Sequence, residues 1–214
     1  GCDQLVVGPG GLDLAVGEAK PLEYFGRHLV WWRDEEGVAH VNDAYCPHLG
    51  AHLGYGGKVM GCELVCPFHG WRFDAEGTNT LIPYSERTNR KGSLQPYPVV
   101  ERNGLTMVWY HPDGVEPMWE IPEVDEFNDA TNYTEMVIRT YEVNAPWQEL
   151  AENGVDAAHF RYVHNTEEVP VLDSYETEGP CSRMRSSQKF PTPKGVVDGR
   201  IDADSFGPGF SVIR

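Results

Sequence analysis

Cys46-Pro47-His48-Leu49-Gly50 precedes Cys66-Pro67-Phe68-His69-Gly70-Trp71, with seventeen residues between His48 and Cys66. A Cys-x-His half and a Cys-x-x-His half put two thiols and two imidazoles within reach of one metal centre. Each half sits in a turn between strand-like runs, so two finger-like loops hold the ligands at their tips. Two thiolates suit one iron and two neutral imidazoles another, a mixed ligation that raises the potential well above an all-cysteine cluster. Zinc uses the same side chains, but its ligand pairs are usually separated by about two to four residues in compact knuckles. It stays the competing reading. Gly50, Gly54, Gly56 and Gly57 lie between the halves, where backbone N–H groups are expected to approach the sulfurs. Cys62 reads as a buried small hydrophobe and not as a ligand.

Working outward, the first half of the chain is short strands and tight turns. His28 to Arg33 is an apolar run containing Leu29, Val30, Trp31 and Trp32, followed by the turn Asp34-Glu35-Glu36-Gly37 and a second run, Val38 to Asn42. Glu63 to Val65, Trp71 to Asp74 and Leu105 to Tyr110 are further strands, the last entered through the hairpin pair Asn103-Gly104. Thr78 to Pro98 is a polar connection. After His111-Pro112-Asp113-Gly114 a Pro- and acid-rich linker runs to about Asp129, and the expected domains are residues 1–113 and 114–214. Thr134 to Val143 alternates like a strand. Asn144-Ala145-Pro146 then opens a helix from Trp147 to Phe160, with Gly154 a weak point inside it. Beyond His164 the pattern reads as loops and poorly defined strands, until Phe210 to Arg214 again looks like strand interior.

The helix carries a second constellation. Glu152-Asn153-Gly154-Val155-Asp156-Ala157-Ala158-His159-Phe160-Arg161-Tyr162-Val163-His164 spaces Asn153, Asp156 and His159 three residues apart, along one side of a helix, with His164 just past its end. Two imidazoles and a carboxylate form the ligand set of oxygen-activating ferrous sites, which keep positions open for O₂. The bland alternative is a polar helix face with two ordinary histidines.

Bulk composition excludes other classes. Seventeen basic against 33 acidic residues give a net charge of −16, which repels phosphate backbones and anionic lipids and leaves no basic patch for nucleic acid. An ordinary acidic surface and an acidic docking face for an electron-transfer partner both fit that charge. No apolar run approaches the roughly 20 residues of a membrane span. The five cysteines, Cys2, Cys46, Cys62, Cys66 and Cys181, are odd in number and irregularly spaced, unlike a secreted disulfide framework. A reducing, cytoplasmic compartment with some metal-bound thiolates is expected.

The paired motif of residues 46–50 and 66–71 resembles the Rieske domain of ring-hydroxylating and related oxygenases, over roughly Tyr24 to Tyr110. The stretch from Asn153 to His164 is similar to the iron-binding motif of their catalytic domains. The resemblance implies an α+β chain: a β-rich Rieske [2Fe–2S] domain, then the first part of a helix-grip (START-like) catalytic domain. It implies that Cys46 and Cys66 hold the inner iron and His48 and His69 the outer, redox-active one. His159 and His164 would bind a mononuclear Fe(II), with Asn153 close to it. Asp156 would correspond to the carboxylate that joins a Rieske histidine of a neighbouring subunit to an iron-ligating histidine, in a homotrimeric ring. The family's third ligand, an aspartate, comes from a later helix, expected beyond Arg214, so Asp198, Asp202 and Asp204 are not assigned to it. The implied activity is that of a terminal mono- or dioxygenase acting on a small apolar substrate with O₂. Its electrons come from a reductase or ferredoxin, and so only indirectly from NAD(P)H. The Asn-x-x-Asp-x-x-His-Phe pattern and Trp71-Arg72-Phe73 look more like ketosteroid hydroxylases and sterol desaturases than naphthalene-type dioxygenases. A Rieske-type electron carrier with a non-catalytic second domain is the alternative.

Overall fold

The turn at Asp34–Gly37 folds the strand Arg27–Arg33 back on Ala39–Asp43, with Trp31 opposite Val41. Ala19–Tyr24 pairs on the other side of Arg27–Arg33, and Pro96–Tyr97 closes the far edge of this antiparallel sheet. The structure, a computed structural model, describes residues 4–7, 14–207 and 209–214, with backbone alone for 4–7. Cys2 lies outside the described residues. The chain divides into two units, the bulk of the first being Val6–Pro117 with Pro122–Ile138 and of the second Met118–Ile121 with Arg139–Arg214.

In the first unit, Leu29 to Trp32 are buried without a break because successive side chains leave a strand on opposite faces and both faces are covered. Val30 and Trp32 pack in a core with Leu53, Leu64 and Phe73; Leu29 and Trp31 pack in another with Leu14, Val41 and Val108. The fully buried Trp32 keeps its indole N–H satisfied by donating to Asn42 Oδ1 at 2.8 Å, and Asn42 Nδ2 donates to the Ala75 carbonyl at 3.1 Å. Removing the Asn42 amide strands a buried donor, a cost of about 1–3 kcal/mol.

A second antiparallel sheet runs Lys58–Met60, Glu63–Val65, Arg72–Phe73, Asn79–Leu81. The expected strands Glu63–Val65 and Leu105–Tyr110 form as read, and Asn103-Gly104 makes the two-residue hairpin that pairs Arg102 with Leu105. Two short strands fall inside the Thr78–Pro98 connection, and a one-turn helix, Asp125–Asn128, inside the linker. Two expectations fail here. Cys62 is exposed and not buried, because Gly61-Cys62 is the turn between Met60 and Glu63, paired across the hairpin. Thr134–Val143 forms no strand; Val137, Tyr141 and Val143 are exposed. Alternation alone does not make a strand, which needs a neighbour for its N–H and C=O groups, and none of the described residues supplies one.

The second unit also departs from expectation. Residues expected to be loops and poorly defined strands form a long antiparallel meander, Val171–Glu178, Cys181–Thr192 and Gly195–Phe206, closed by Ser211–Ile213 within the run read as strand interior. Asp198, Asp202 and Asp204 therefore lie on a strand and not in a loop. Arg185 Nη1 donates to Asp204 at 2.7 Å and its Nε lies 3.8 Å from Asp202. The single helix expected from Trp147 to Phe160 is two, Trp147–Asn153 and Ala158–Val163. It breaks at the weak point, Gly154, and Asp156 then accepts the Ala158 N–H with Oδ1 at 2.8 Å, an alternative to helical continuation.

Candidate metal centres

The two ligand loops of the first unit are closed by the same pair of backbone bonds. Cys46 N–H donates to the Ala51 carbonyl at 2.9 Å and Gly50 N–H donates back to the Cys46 carbonyl at 2.9 Å. Cys66 N–H likewise donates to Trp71 at 2.8 Å, and Gly70 N–H to Cys66 at 3.1 Å. Both closures need a left-handed residue four positions after the cysteine, and Gly50 (φ +74°) and Gly70 (φ +71°) provide it. Gly54 and Gly57 have a different reason from the one expected. A Cβ would meet the Pro21 backbone at 2.6 Å at Gly54 and the Leu53 carbonyl oxygen at 2.1 Å at Gly57, so these positions serve chain packing.

Inside the loops the donors are sorted by depth. Cys46 and Cys66 belong to the Val30–Trp32 core and are only 2% and 3% exposed. Burial above all, then the neighbouring Cys66 thiol, pushes the Cys46 thiol up to about 11, although the backbone N–H groups of His48 and Leu49 point at its sulfur. The metal-free thiol is protonated at neutral pH, and a bound metal must displace that proton. His48 and His69 are half-buried, with ring centroids 4.6 Å apart and planes at 68°. Thiols thus pair with thiol and imidazole with imidazole. Among the described residues no three His, Cys, Asp or Glu side chains converge to hold one ion. That pairing fits a two-iron cluster with two protein ligands on each iron better than a zinc ion, which needs all four at one point.

His48 has a further neighbour in Trp71. Its ring lies on the Trp71 indole with planes 5° apart and centroids 4.7 Å apart, and Trp71 Nε1–H donates to Tyr84 Oη at 2.7 Å. Trp71 ends the second ligand motif, but nothing in the spacing marks Tyr84.

In the second unit His159 lies on the helix Ala158–Val163, and His164 caps its end, donating its N–H to the Phe160 carbonyl. The two rings are 5.1 Å apart at 69°, and Phe160 packs against both. His159 Nδ1 is 2.6 Å from the Asp156 backbone oxygen. A carbonyl only accepts, so Nδ1 carries the proton and Nε2 presents its lone pair. The expected partner was the Asp156 carboxylate; here the main chain of the same residue makes the bond, and Asp156 Oδ2 stands 3.8 Å from Nδ1. Asp156 is left half exposed. Asn153, expected on the same helical side as Asp156 and His159, is the last residue of the preceding helix. Behind the pair, Arg161 Nη1 donates to the carbonyl of fully buried Thr166 at 2.6 Å, which ties down the chain leaving His164. No helix among the described residues is long and apolar enough to cross a membrane.

Two family models match successive parts of the chain. The family described as the Rieske [2Fe-2S] domain matches residues 8–98, and the 3-ketosteroid 9alpha-hydroxylase C-terminal domain matches residues 108–214. The chain is 39% identical to a cholesterol 7-desaturase of Bombyx mori, over 92% of this chain and 47% of that one. It is 37% identical to the oxygenase component of a 3-ketosteroid-9-alpha-monooxygenase of Rhodococcus rhodochrous, over 92% and 54%. It therefore spans about half the length of these curated relatives. The crystal structure of dicamba monooxygenase bound to dicamba shares the fold, with a TM-score of 0.70 at 23% identity over 94% of this chain and 62% of that one.

Proposed function

We propose, from the premise that the chain belongs to the Rieske non-haem iron oxygenases with a 3-ketosteroid 9α-hydroxylase-type catalytic domain, that it is the iron-binding part of a terminal oxygenase component. In this reading residues 1–113 are the Rieske domain and residues 114–214 the first portion of the catalytic domain. Cys46 and Cys66 hold one iron of a [2Fe–2S] cluster and His48 and His69 the other; His159 and His164 hold a mononuclear Fe(II), with Asn153 beside it. When bound, these groups supply one-electron transfer and oxygen activation. The chain's own residues position them. The Asp156 carbonyl fixes His159 in the tautomer that offers Nε2, and the half-exposed carboxylate accepts a hydrogen bond from a Rieske histidine of a neighbouring subunit in a homotrimeric ring.

The partner is a reductase or ferredoxin, which passes on electrons drawn from NAD(P)H in the cytoplasm. The substrate is apolar and steroid-like, and it is hydroxylated, desaturated or demethylated. Two relatives whose names specify a ketosteroid and cholesterol support that choice. The observation that carries the reading is one chain with paired thiols beside paired imidazoles in one unit and a second imidazole pair in the other. A stand-alone electron carrier leaves His159 and His164 without a role.

The test is metal content and spin state of the full-length protein, purified without oxygen. About three irons per chain and a rhombic signal on reduction are expected, with a potential between about −150 and +300 mV. Two irons per chain favour the carrier. A colourless protein loaded stoichiometrically with zinc removes the reading altogether.

A further inference from the structure

We infer that Trp71, held by Tyr84, is a positioning residue that fixes the His48 ring and lowers the reduction potential of the cluster. The inference rests on the assignment of His48 as a cluster ligand.

Three observations carry it. The His48 and Trp71 rings are parallel within 5° at 4.7 Å, while His69 meets Phe68 at 37° and no such stack backs it among the described residues. Trp71 is itself 6% exposed and belongs to the core that contains Cys46 and Cys66, so the indole is part of the cluster's own wall. Its one polar atom is satisfied by Tyr84, an otherwise exposed side chain whose hydroxyl takes the indole N–H at 2.7 Å. Core packing holds Trp71 on its other side, where its ring centroid lies 6.5 Å from that of buried Phe73. The indole plane is thus set from below by the core and at its edge by Tyr84.

An indole face is the most electron-rich surface a protein offers to a cation, and its attraction is larger where water is excluded. An oxidised cluster carries one more positive charge than a reduced one, shared onto its imidazoles. The Trp71 face therefore stabilises the oxidised state more, and the hydrogen bond to Tyr84 pushes electron density from N–H into the ring. Hydrogen bonding and surroundings of the ligands are the protein's means of setting such potentials. His69 lacks this support, so the two imidazoles are electronically unequal although both are half-buried.

The test is redox titration of the full-length, cluster-loaded protein and three variants, followed by visible absorption and by the g-values of the reduced state. Trp71→Leu removes the face, and the oxidised-to-reduced ratio at fixed potential falls about tenfold, an upward shift of about 59 mV for one electron. Trp71→Phe keeps a ring and restores part of the difference. Tyr84→Phe, a surface change that leaves the fold alone, removes only the hydrogen bond and gives the smallest upward shift, with altered g-values. Potentials of Trp71→Leu and parent that coincide overturn the inference, and so does a Trp71→Phe shift as large as that of Trp71→Leu. If Trp71→Leu does not fold, Tyr84→Phe decides, and an unmoved potential and spectrum overturn it. A parent with no Rieske signal overturns the ligand assignment and this inference together; a parent with the signal and unmoved variants overturns this inference alone.

Discussion

Cys46 and Cys66 are core residues that happen to carry sulfur, whereas His159 and His164 are attached to a helix that buries none of its residues. In the first unit the ligand loops close on themselves, the thiols pack with Val30, Trp32 and Phe73, and one imidazole is stacked on a fixed indole. In the second, His164 is exposed, Asp156 is half exposed, and His159 Nδ1 is held by the Asp156 carbonyl. The first metal centre and its unit's fold are the same object. The second candidate ligand pair lies on a helix with no buried residue.

That contrast is most open to attack at Cys66. Cys66→Ser is expected to abolish the brown colour and remove about two irons per chain. It should also cost the metal-free protein about 1–3 kcal/mol, because a buried thiol gives way to a more strongly solvated hydroxyl. Melting curves that match the parent would break the claim that the thiols are structural. His159→Ala is the mirror test. Turnover of the full-length enzyme should fall below detection, with the Rieske spectrum intact and stability within about 0.5 kcal/mol of the parent, as for an exposed substitution. Loss of colour together with turnover would mean that the two centres share one fold.

A smaller effect is expected at Asp156, where main chain and side chain do different work. Asp156→Asn leaves the carbonyl that holds His159, so both metals should bind and the cluster should accept an electron. Reoxidation of the pre-reduced protein by substrate and O₂ should slow by about 10–100-fold, read from single-turnover absorbance. Reoxidation at the parent rate would show that the carboxylate is not the link between centres.

The smallest effect lies at the rim of the first unit. Arg33 grips Glu101 with Nη1 at 2.8 Å and Nη2 at 2.6 Å. The guanidinium hydrogen bonds hold the Glu101 carboxyl below its usual 4.5, against the opposing pull of partial burial. A depressed carboxyl stabilises the fold above the unfolded value, near 4.5, and the contribution is lost as pH falls through the lower folded value. Glu101 is 39% exposed, so solvent screening keeps the pair under about 1 kcal/mol. Glu101→Gln should therefore be slightly less stable at neutral pH, and in urea titrations the deficit should vanish once the pH falls below the lowered folded value of Glu101. An equal deficit at both pH values would assign the effect to packing instead of charge.

Legibility in the sequence follows the same line. The ligand loops were readable because all their determinants are local: cysteine, histidine, the glycine four residues on, and strands whose turns are short. Arg27–Arg33 was visible as a continuous apolar run because both its faces are buried. The sheet of the second unit was hidden because its buried face is only partly apolar. Along Cys181–Thr192 the inward row is Met184, Ser186 and Gln188, so polar residues fill positions where an apolar–polar alternation was sought. The helix was read through Gly154 because three-residue spacing continues across the break, although the backbone does not. Tyr84 escaped notice because its importance lies in one hydrogen bond across thirteen residues, and a tyrosine in a polar loop carries no local mark.

The shared closure of the two ligand loops has an engineering consequence. Each loop is a six-residue cassette with fixed ends, Cys46–Ala51 and Cys66–Trp71, and the cassettes differ mainly in whether histidine stands third or fourth. Exchanging the two inner residues of one cassette, His48 with Leu49 or Phe68 with His69, moves an imidazole by one position along an unaltered main chain. The scaffold is thus an interchangeable pair of jaws on which ligand placement can be permuted while the hinge points, two amides and two left-handed glycines, stay where they are.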